Sequence, residues 1–489
     1  MLKVINNNFN NIVRVYLAVS IFAYLIYLIA PLVSLIMNTQ LYSFQRYLAV
    51  AGIGIIVYDL LFFRSGFKTK YAIFLYGLLV SAGISSVMAI EYGIKENLFD
   101  IIWLLIYIYI YYSYAERVGL EQVRKDIDFM YKHFLIIWFI AVAFSISTYL
   151  FNTSFRISAN PYNSYLTRQG FMENRLFGIF MPLIISAMLS GILIIYGSMR
   201  YPKKKLIIFV NLVFFIHIIL TGSRAALLSL MTVFALLIFY KVFTKYFLGK
   251  KTIYKIFMSS IISLALLGGL FLGTQILKTT LSYLPTFTVF KDNSMSFKSL
   301  LSKQPNLIVD GLENEGSESL KSHVNAEELL DRKDIDKSNI SNGRLSIWGD
   351  YINMYKDISI FGLSPSNYSK YIHEHYQDLF IVQFIKSNHQ DTYNVGGVYH
   401  PHNTYLMAYV TSGLVGLVCF TLVLLLMVRD TLARLFKKEN AYLLLVTSIL
   451  VFCLLNGLFD SIILFSNEIV TAISWIFLGL LAHILKEAK

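Results

Sequence analysis

The sequence predicts an all-α polytopic membrane protein of about twelve transmembrane helices, with one large loop between spans nine and ten. Composition is the first observation behind this. Of the 489 residues 56% are apolar and only 15% are charged, where soluble domains carry about 25% charge. The second is the recurrence of apolar runs long enough for a bilayer core, which takes about twenty helical residues to cross. The third is the placement of the cations in short clusters between those runs.

Taken in order, the runs are 12–37, 46–63, 71–90, 97–114, 133–151, 176–198, 206–221, 224–243, 256–276, 403–427, 441–460 and 464–485. The first is too long for a signal-peptide core and lacks a small-residue cleavage site, so it reads as a retained helix. The connections alternate in charge. Arg64, Lys68 and Lys70 make one basic turn; Arg117, Arg124, Lys125 and Lys132 another; then come Arg200 with Lys203–Lys205, Lys241–Lys255, Arg429–Lys438 and finally Lys486 and Lys489. The intervening connections are poor in cations. The positive-inside rule therefore puts the basic set and both termini in the cytoplasm. The net charge of +13 is accounted for by this pattern, which is a topology signal and not a nucleic-acid footprint. Cys419 and Cys453 both lie within apolar runs, so no disulfide framework or CxxC motif is present.

Two outward segments exceed what a connection needs, Asn152–Arg175 and Lys278–Pro401, the latter 124 residues long. The chain thus divides into a membrane domain over 1–277, an extracytoplasmic loop or lid over 278–402 and a second membrane portion over 403–489. The first half of the lid is acidic, with Glu313, Glu315, Glu318, Glu327, Glu328, Asp331, Asp334 and Asp336, and is expected to be mobile. In the second half an Asn342-Gly343 turn precedes Trp348, Tyr351, Ile352 and Tyr355 at i, i+3, i+4, i+7 spacing, which predicts an amphipathic helix on the outer interface.

Outer cations run against the charge bias, so Arg168, Arg224, Arg344, His400 and His402 each call for a reason. Arg224 follows Thr221-Gly222-Ser223 at the start of a span, with Ser223 as candidate N-cap. Helix N–H groups and a guanidinium fork together suit a phosphate; the plainer role is an arginine reaching lipid headgroups. Arg344 repeats the arrangement after Ser341-Asn342-Gly343, and Arg168 and Arg175 are weaker members of the same set. His402, where the loop enters span ten, is placed to exchange a proton between a membrane-borne donor and an aqueous acceptor. Asn403 would orient it or hold a substrate hydroxyl.

Five of the nine histidines fall close together: His373, His375, His389, His400 and His402. The two His-x-His pairs raise zinc, but no Cys, no HExxH and no diagnostic spacing to Glu374 or Asp391 supports it, so neither a metal nor another cofactor is assigned. Ala408, Ser412 and Gly416 form a small-residue stripe that permits close helix contact, with Gly413 adding room beside it. Asp460 and Glu468 are further acids near an outer turn. Trp348, Tyr351, Tyr355, Tyr399 and Tyr405 would line a substrate or, more simply, sit in the interfacial aromatic belt.

His402-Asn403, nine residues, then Gly413-Leu414-Val415-Gly416 resembles the His-Asn-x9-Gly-x-x-Gly pattern of the O-antigen ligase and O-antigen polymerase superfamily of bacterial membrane glycosyltransferases. Ser223-Arg224 at the start of a mid-chain span, Arg344 with Trp348 four residues on, and Phe361-Gly362 support the resemblance. It implies a GT-C-like, metal-independent transferase whose donor is an undecaprenyl diphosphate-linked glycan. His402 would correspond to the catalytic histidine, and Arg224 and Arg344, with Arg168, to residues on the donor diphosphate. Asn403, His400, Trp348 and Tyr399 would support the site or touch substrate.

The leading expectation is a polymerase that joins lipid-linked repeat units of capsule, O-antigen or exopolysaccharide at the outer face of the bacterial cytoplasmic membrane, alongside a flippase and a chain-length regulator. The alternative enzyme is a ligase moving finished glycan to a lipid, teichoic acid or protein acceptor. A lipid-linked glycan transporter would need polar groups through the midplane, and the spans hold few.

Overall fold

The computed structural model describes residues 2–158, 166–247, 249–282, 284, 343–358, 360–437 and 440–487. Glu313–Asp336, the acidic half of the lid, and Asn342 lie outside the described residues. Among the described residues nine helices are long and apolar enough to cross a membrane. Three shorter apolar helices, Ala72–Met88, Lys205–Thr221 and Ala441–Asn456, fall on the remaining stretches read as spans. The chain is an all-α polytopic membrane protein with one small sheet.

The helices are α1 (Leu2–Leu28), α2 (Ala30–Ile36), α3 (Phe44–Phe62), α4 (Ala72–Met88), α5 (Lys95–Ile106), α6 (Tyr114–Val118), α7 (Leu120–Leu150), α8 (Leu183–Arg200), α9 (Lys205–Thr221), α10 (Arg224–Lys245) and α11 (Thr252–Ser282). After the lid's acidic half come α12 (Arg344–Asn353), α13 (Tyr355–Ile358), α14 (Tyr368–His375), α15 (Phe380–Asn388), α16 (Gln390–Asn394), α17 (Thr404–Leu435), α18 (Ala441–Asn456) and α19 (Ile469–Glu487).

Two boundaries differ from the hydropathy reading for local reasons. The first apolar run is broken, with Ile29 extended and Pro31 in the first turn of α2; proline has no N–H and its ring clashes with the preceding turn, so one helix cannot run through. The segment 152–175, expected as a loop, holds an antiparallel sheet of β1 (Ser154–Ser158), β2 (Leu166–Met172) and β3 (Arg175–Gly178) in the order β1-β2-β3. The sixth apolar run therefore starts as a strand, and its helix begins only at Leu183.

The chain forms two compact units. The first takes in Met1–Ile21, Arg46–Ile127 and the described part of Asp334–Lys489. At the end of its helices that carries the basic clusters, cations meet acids: Arg117 and Asp59 at 2.6 Å, both side chains buried, Arg14 and Asp126 at 2.7 Å, and Lys70 and Asp430 at 2.6 Å. Toward the other end, α12–α16 share a core of Ile347, Tyr351, Ile358, Ile372, Val382 and Tyr399 that reaches Met407 and Val410 of α17.

Within this unit α4 lies close along α17. Ser81 Oγ donates to Ser412 O at 2.6 Å and Ser85 Oγ to Thr411 O at 2.7 Å. At Gly413 (φ 61°, ψ −165°) α17 leaves helical geometry. The backbone groups freed there are taken up by the segment before α14, with Leu363 N–H donating to Val410 O at 2.7 Å and Val415 N–H to Ile360 O at 3.1 Å. A Cβ on Gly413 would stand 2.2 Å from Ile360 O, so only glycine fits both the dihedral and the approach. Gly413 thus joins the described part of the lid to the helix that begins at the His402 turn.

The second unit holds Phe22–Gln45 and the described part of Asp128–Lys333. One face of its sheet, through Phe171 and Leu176, packs on Tyr149 of α7, Ile219 and Leu220 of α9 and Leu281 of α11. Tyr149 Oη donates to Leu281 O at 2.6 Å. The sheet therefore caps the helix ends at which α9 turns into α10.

Candidate active site

His402 occupies the residue before the α17 N-cap in a left-handed conformation, φ 47°. Such a backbone costs a non-glycine residue about 1–2 kcal/mol, so the turn needs ties, and it has several. Trp348 Nε1–H donates to Pro401 O at 3.2 Å, and Tyr351 Oη donates to Tyr399 O. The His402 N–H reaches His400 Nδ1 at 3.2 Å, and the Asn403 N–H reaches Ser461 Oγ at 3.2 Å.

Asn403 is the helix cap. Its Oδ1 accepts from the N–H groups of Tyr405 and Leu406 at 2.9 and 3.0 Å, and its Nδ2 donates to Leu458 O at 3.0 Å. These bonds fit the first of the two expected roles, orienting the residue beside it. Thr404 extends the link to the α18–α19 connection, its Oγ1 donating to Asp460 O at 3.0 Å.

This link brings Asp460 to the histidine. His402 Nδ1 lies 3.4 Å from Asp460 Oδ1, and the His402 side chain is 42% exposed. A proton on Nδ1 facing the carboxylate leaves Nε2 as the free base. Burial pushes the Asp460 carboxyl up, but the hydrogen bond to His402 and the charges of His402 and His400 outweigh it and hold the group below its ordinary value. Glu468 is pushed up to about 8 by burial and by the charge of Asp460. Burial, with His402 beside it, lowers His400 to about 4, so that ring is neutral at pH 7. The sequence offers Asp460 only as an outer acid, because 58 residues separate it from His402 and only the fold makes them neighbours.

Of the other aromatics, Tyr399 and Tyr351 are fully buried in the core of the lid, which corrects the expectation that they line the membrane interface. The predicted amphipathic stripe is split: Tyr351 faces inward with Ile347, while Ile352 and Tyr355 are exposed. Trp348 is half-buried beside the His402 turn. Arg344 opens α12 after Gly343 (φ 80°), one helical turn before Trp348 and so on the same face of the helix. His373 Nδ1 meets Tyr399 Oη at 2.7 Å and His375 Nε2 meets Tyr92 Oη at 3.0 Å, so that His-x-His pair is engaged with tyrosines. The other pair is different: His400, His402 and Asp460 are a group whose ligand atoms all lie within 4.8 Å of one another.

Arg168 and Arg224 belong to the second unit. There β1 and β2 set Arg156 directly opposite Arg168, and Arg168 forms an ion pair with Glu173 at 2.6 Å. The guanidinium groups of Arg168 and Arg175 lie 6.0 and 5.8 Å from the Phe177 ring centre. Arg175 Nε donates to Thr221 O at 2.9 Å, in the turn that leads into Arg224. Ser223 takes the N-cap position of α10 without a side-chain cap bond. The sheet thus gathers an arginine group next to the Arg224 helix start. Arg156 has no signal of its own in the sequence, because only the hairpin brings it opposite Arg168.

The described residues thus set a histidine on a carboxylate at one helix mouth and, in the second unit, gather arginines at a helix start, in a polytopic membrane protein. Residues 207–421 match the family model described as O-Antigen ligase. The matched stretch includes Arg224, Arg344, Trp348, His402, Gly413 and Gly416, and the match supports the O-antigen ligase and polymerase superfamily. That family implies lipid-linked glycan substrates. A search of the curated proteins gives no match to the chain.

Proposed function

We propose that this protein is a polymerase that joins undecaprenyl diphosphate-linked oligosaccharide repeat units into a surface polysaccharide, on the outer face of the bacterial cytoplasmic membrane with both termini inside. The observation that carries the reading is the His402–Asp460 pair at 3.4 Å inside a chain whose 207–421 stretch, His402 included, matches the family.

In this reading Asp460 holds His402 with Nδ1 protonated, and Nε2 takes the proton of an acceptor sugar hydroxyl. The hydroxyl oxygen bonds to the anomeric carbon of the donor as the carbon–oxygen bond to the diphosphate breaks, and undecaprenyl diphosphate leaves with the electron pair. Arg224, Arg344 and Arg168 bind that diphosphate and stabilise the charge it gains; the placement of Arg175 beside the Arg224 turn adds it to the set. His400, neutral and bonded to the His402 N–H, and Trp348 on Pro401 O support the turn. Histidine and arginines suffice for this chemistry, so the transfer is metal-independent. The segment 278–402 acts as the lid between the membrane portions 1–277 and 403–489, and a flippase and chain-length regulator work beside it.

The description of the matching family favours a second reading, a ligase that passes finished glycan to another acceptor. Surface glycan from a deletion strain expressing wild-type or His402→Ala protein separates the two. Single repeat units in place of long chains in the mutant support the polymerase. Long chains left on the lipid carrier support the ligase, and a normal profile with His402→Ala removes both.

A further inference from the structure

The distance between His402 Nδ1 and Asp460 Oδ1, 3.4 Å, is long for a hydrogen bond, where N–H···O contacts run about 2.7–3.2 Å. It is close to the spacing of two ligands on one tetrahedral ion, because zinc bonds of about 2.0–2.2 Å place neighbouring ligand atoms ~3.3 Å apart. A third ligand is at hand. The His400 and His402 rings stand 4.9 Å apart and inclined at 60°, and the ligand atoms of His400, His402 and Asp460 all lie within 4.8 Å of one another.

The surroundings hold Asp460 and the His402 turn in place independently of any ion. His400 Nδ1 accepts the His402 N–H at 3.2 Å, so in the neutral ring Nδ1 holds the lone pair and is the atom that coordinates once it gives up that bond. Asp460 Oδ1 accepts the Ser461 N–H at 2.9 Å, and the Asp460 carbonyl accepts from Thr404 Oγ1 at 3.0 Å. Such outer bonds orient ligands in zinc sites. Asp460 and the His402 turn are thus set, and closing the group on an ion requires the His400 ring to turn from the His402 N–H toward it.

We propose that His400, His402 and Asp460 form a zinc site that, when filled, takes the catalytic base out of use and stops transfer. Two imidazole nitrogens and one carboxylate oxygen favour zinc over magnesium or calcium, which prefer oxygen alone. Three protein ligands leave a fourth tetrahedral position for water. Zinc binding stands on the geometry; the inhibitory consequence rests on the transferase reading given above.

The test uses the full-length protein in detergent, stripped with EDTA and titrated calorimetrically with zinc chloride alone, with magnesium chloride in parallel. One zinc per chain is expected, with affinity weakened at least tenfold by His400→Gln and, separately, by the isosteric Asp460→Asn, and no response to magnesium. Elution volume and melting temperature of each variant establish that it is folded. Undiminished affinity in both folded variants, or no zinc uptake by wild type, overturns the site. Transfer from lipid-linked donor by stripped wild-type protein should stop with one equivalent of zinc and return with EDTA. Transfer that persists with the site filled, or that appears only after zinc is added, overturns the inhibitory role. A stripped protein with no transfer in either state refutes the transferase reading and leaves the site to be judged on the titration.

Discussion

Replacing Trp348 with phenylalanine removes a single hydrogen bond, Nε1–H to Pro401 O at 3.2 Å, and keeps most of the aromatic packing. The carbonyl it releases precedes His402, held at φ 47°. A net hydrogen bond is worth about 1 kcal/mol, the same size as the ~1–2 kcal/mol that a left-handed non-glycine residue costs. The productive turn should then lose population to relaxed backbones. At about 1.4 kcal/mol per tenfold change in rate, kcat should fall about fivefold. KM for the lipid-linked donor should hold, because Trp348 acts through the position of His402. The assay is transfer by purified protein over a range of donor concentrations, with Tyr351→Phe as a companion that removes the bond to Tyr399 O. An unchanged kcat, or a loss confined to KM as sugar stacking on Trp348 would give, refutes the reasoning.

Other expectations follow from the same geometry. Arg224→Ala and Arg344→Ala should each lower kcat/KM for the donor about 10–100-fold, the ~1.5–3 kcal/mol of a charge-assisted bond, with melting temperature nearly unchanged; normal donor kinetics would remove them from the diphosphate. Gly413→Ala, whose Cβ would meet Ile360 O at 2.2 Å, should lower stability by about 2 kcal/mol or more in a thermal melt, whereas Gly83→Ala, with open space around it, should not. Glu468 is raised from 4.5 to about 8, so ionising it opposes folding. Its contribution is intact below 4.5 and is lost as pH rises toward 8, by at most about 5 kcal/mol. Glu468→Gln should therefore narrow the difference in melting temperature between about pH 5 and pH 8, and an unaltered difference would count against the buried acid.

The helices are legible in the sequence because hydropathy and charge between apolar runs are local signals. The break at Ile29–Pro31 is local too, but one proline inside a long apolar run is outweighed by the run itself. The hairpin escapes because β1 spans five residues and β3 four, too short to display a strand period against flanking arginines. His402 can be read from its place at a helix mouth and its spacing to Gly413 and Gly416. Its partner cannot, since Asp460 arrives through the turn between two later helices. Asn403 stands where the sequence puts it, but the sequence leaves two roles open for it. Its position fits a cap as well as a substrate contact, and only the fold reveals the bonds to Tyr405, Leu406 and Leu458 that make it a cap. The inward turn of Tyr351 likewise depends on α14 and α15, which the helical spacing of α12 does not reveal.

That His402 is the base of a transfer from a lipid diphosphate is the central claim. Its most direct test is incubation of purified wild-type and His402→Ala protein with defined undecaprenyl diphosphate-linked repeat units, following glycan length and released undecaprenyl diphosphate together. Wild type should give longer glycan and equivalent release, and a His402→Ala protein that still binds donor should give neither. Elongation by that mutant at the wild-type rate would contradict the claim.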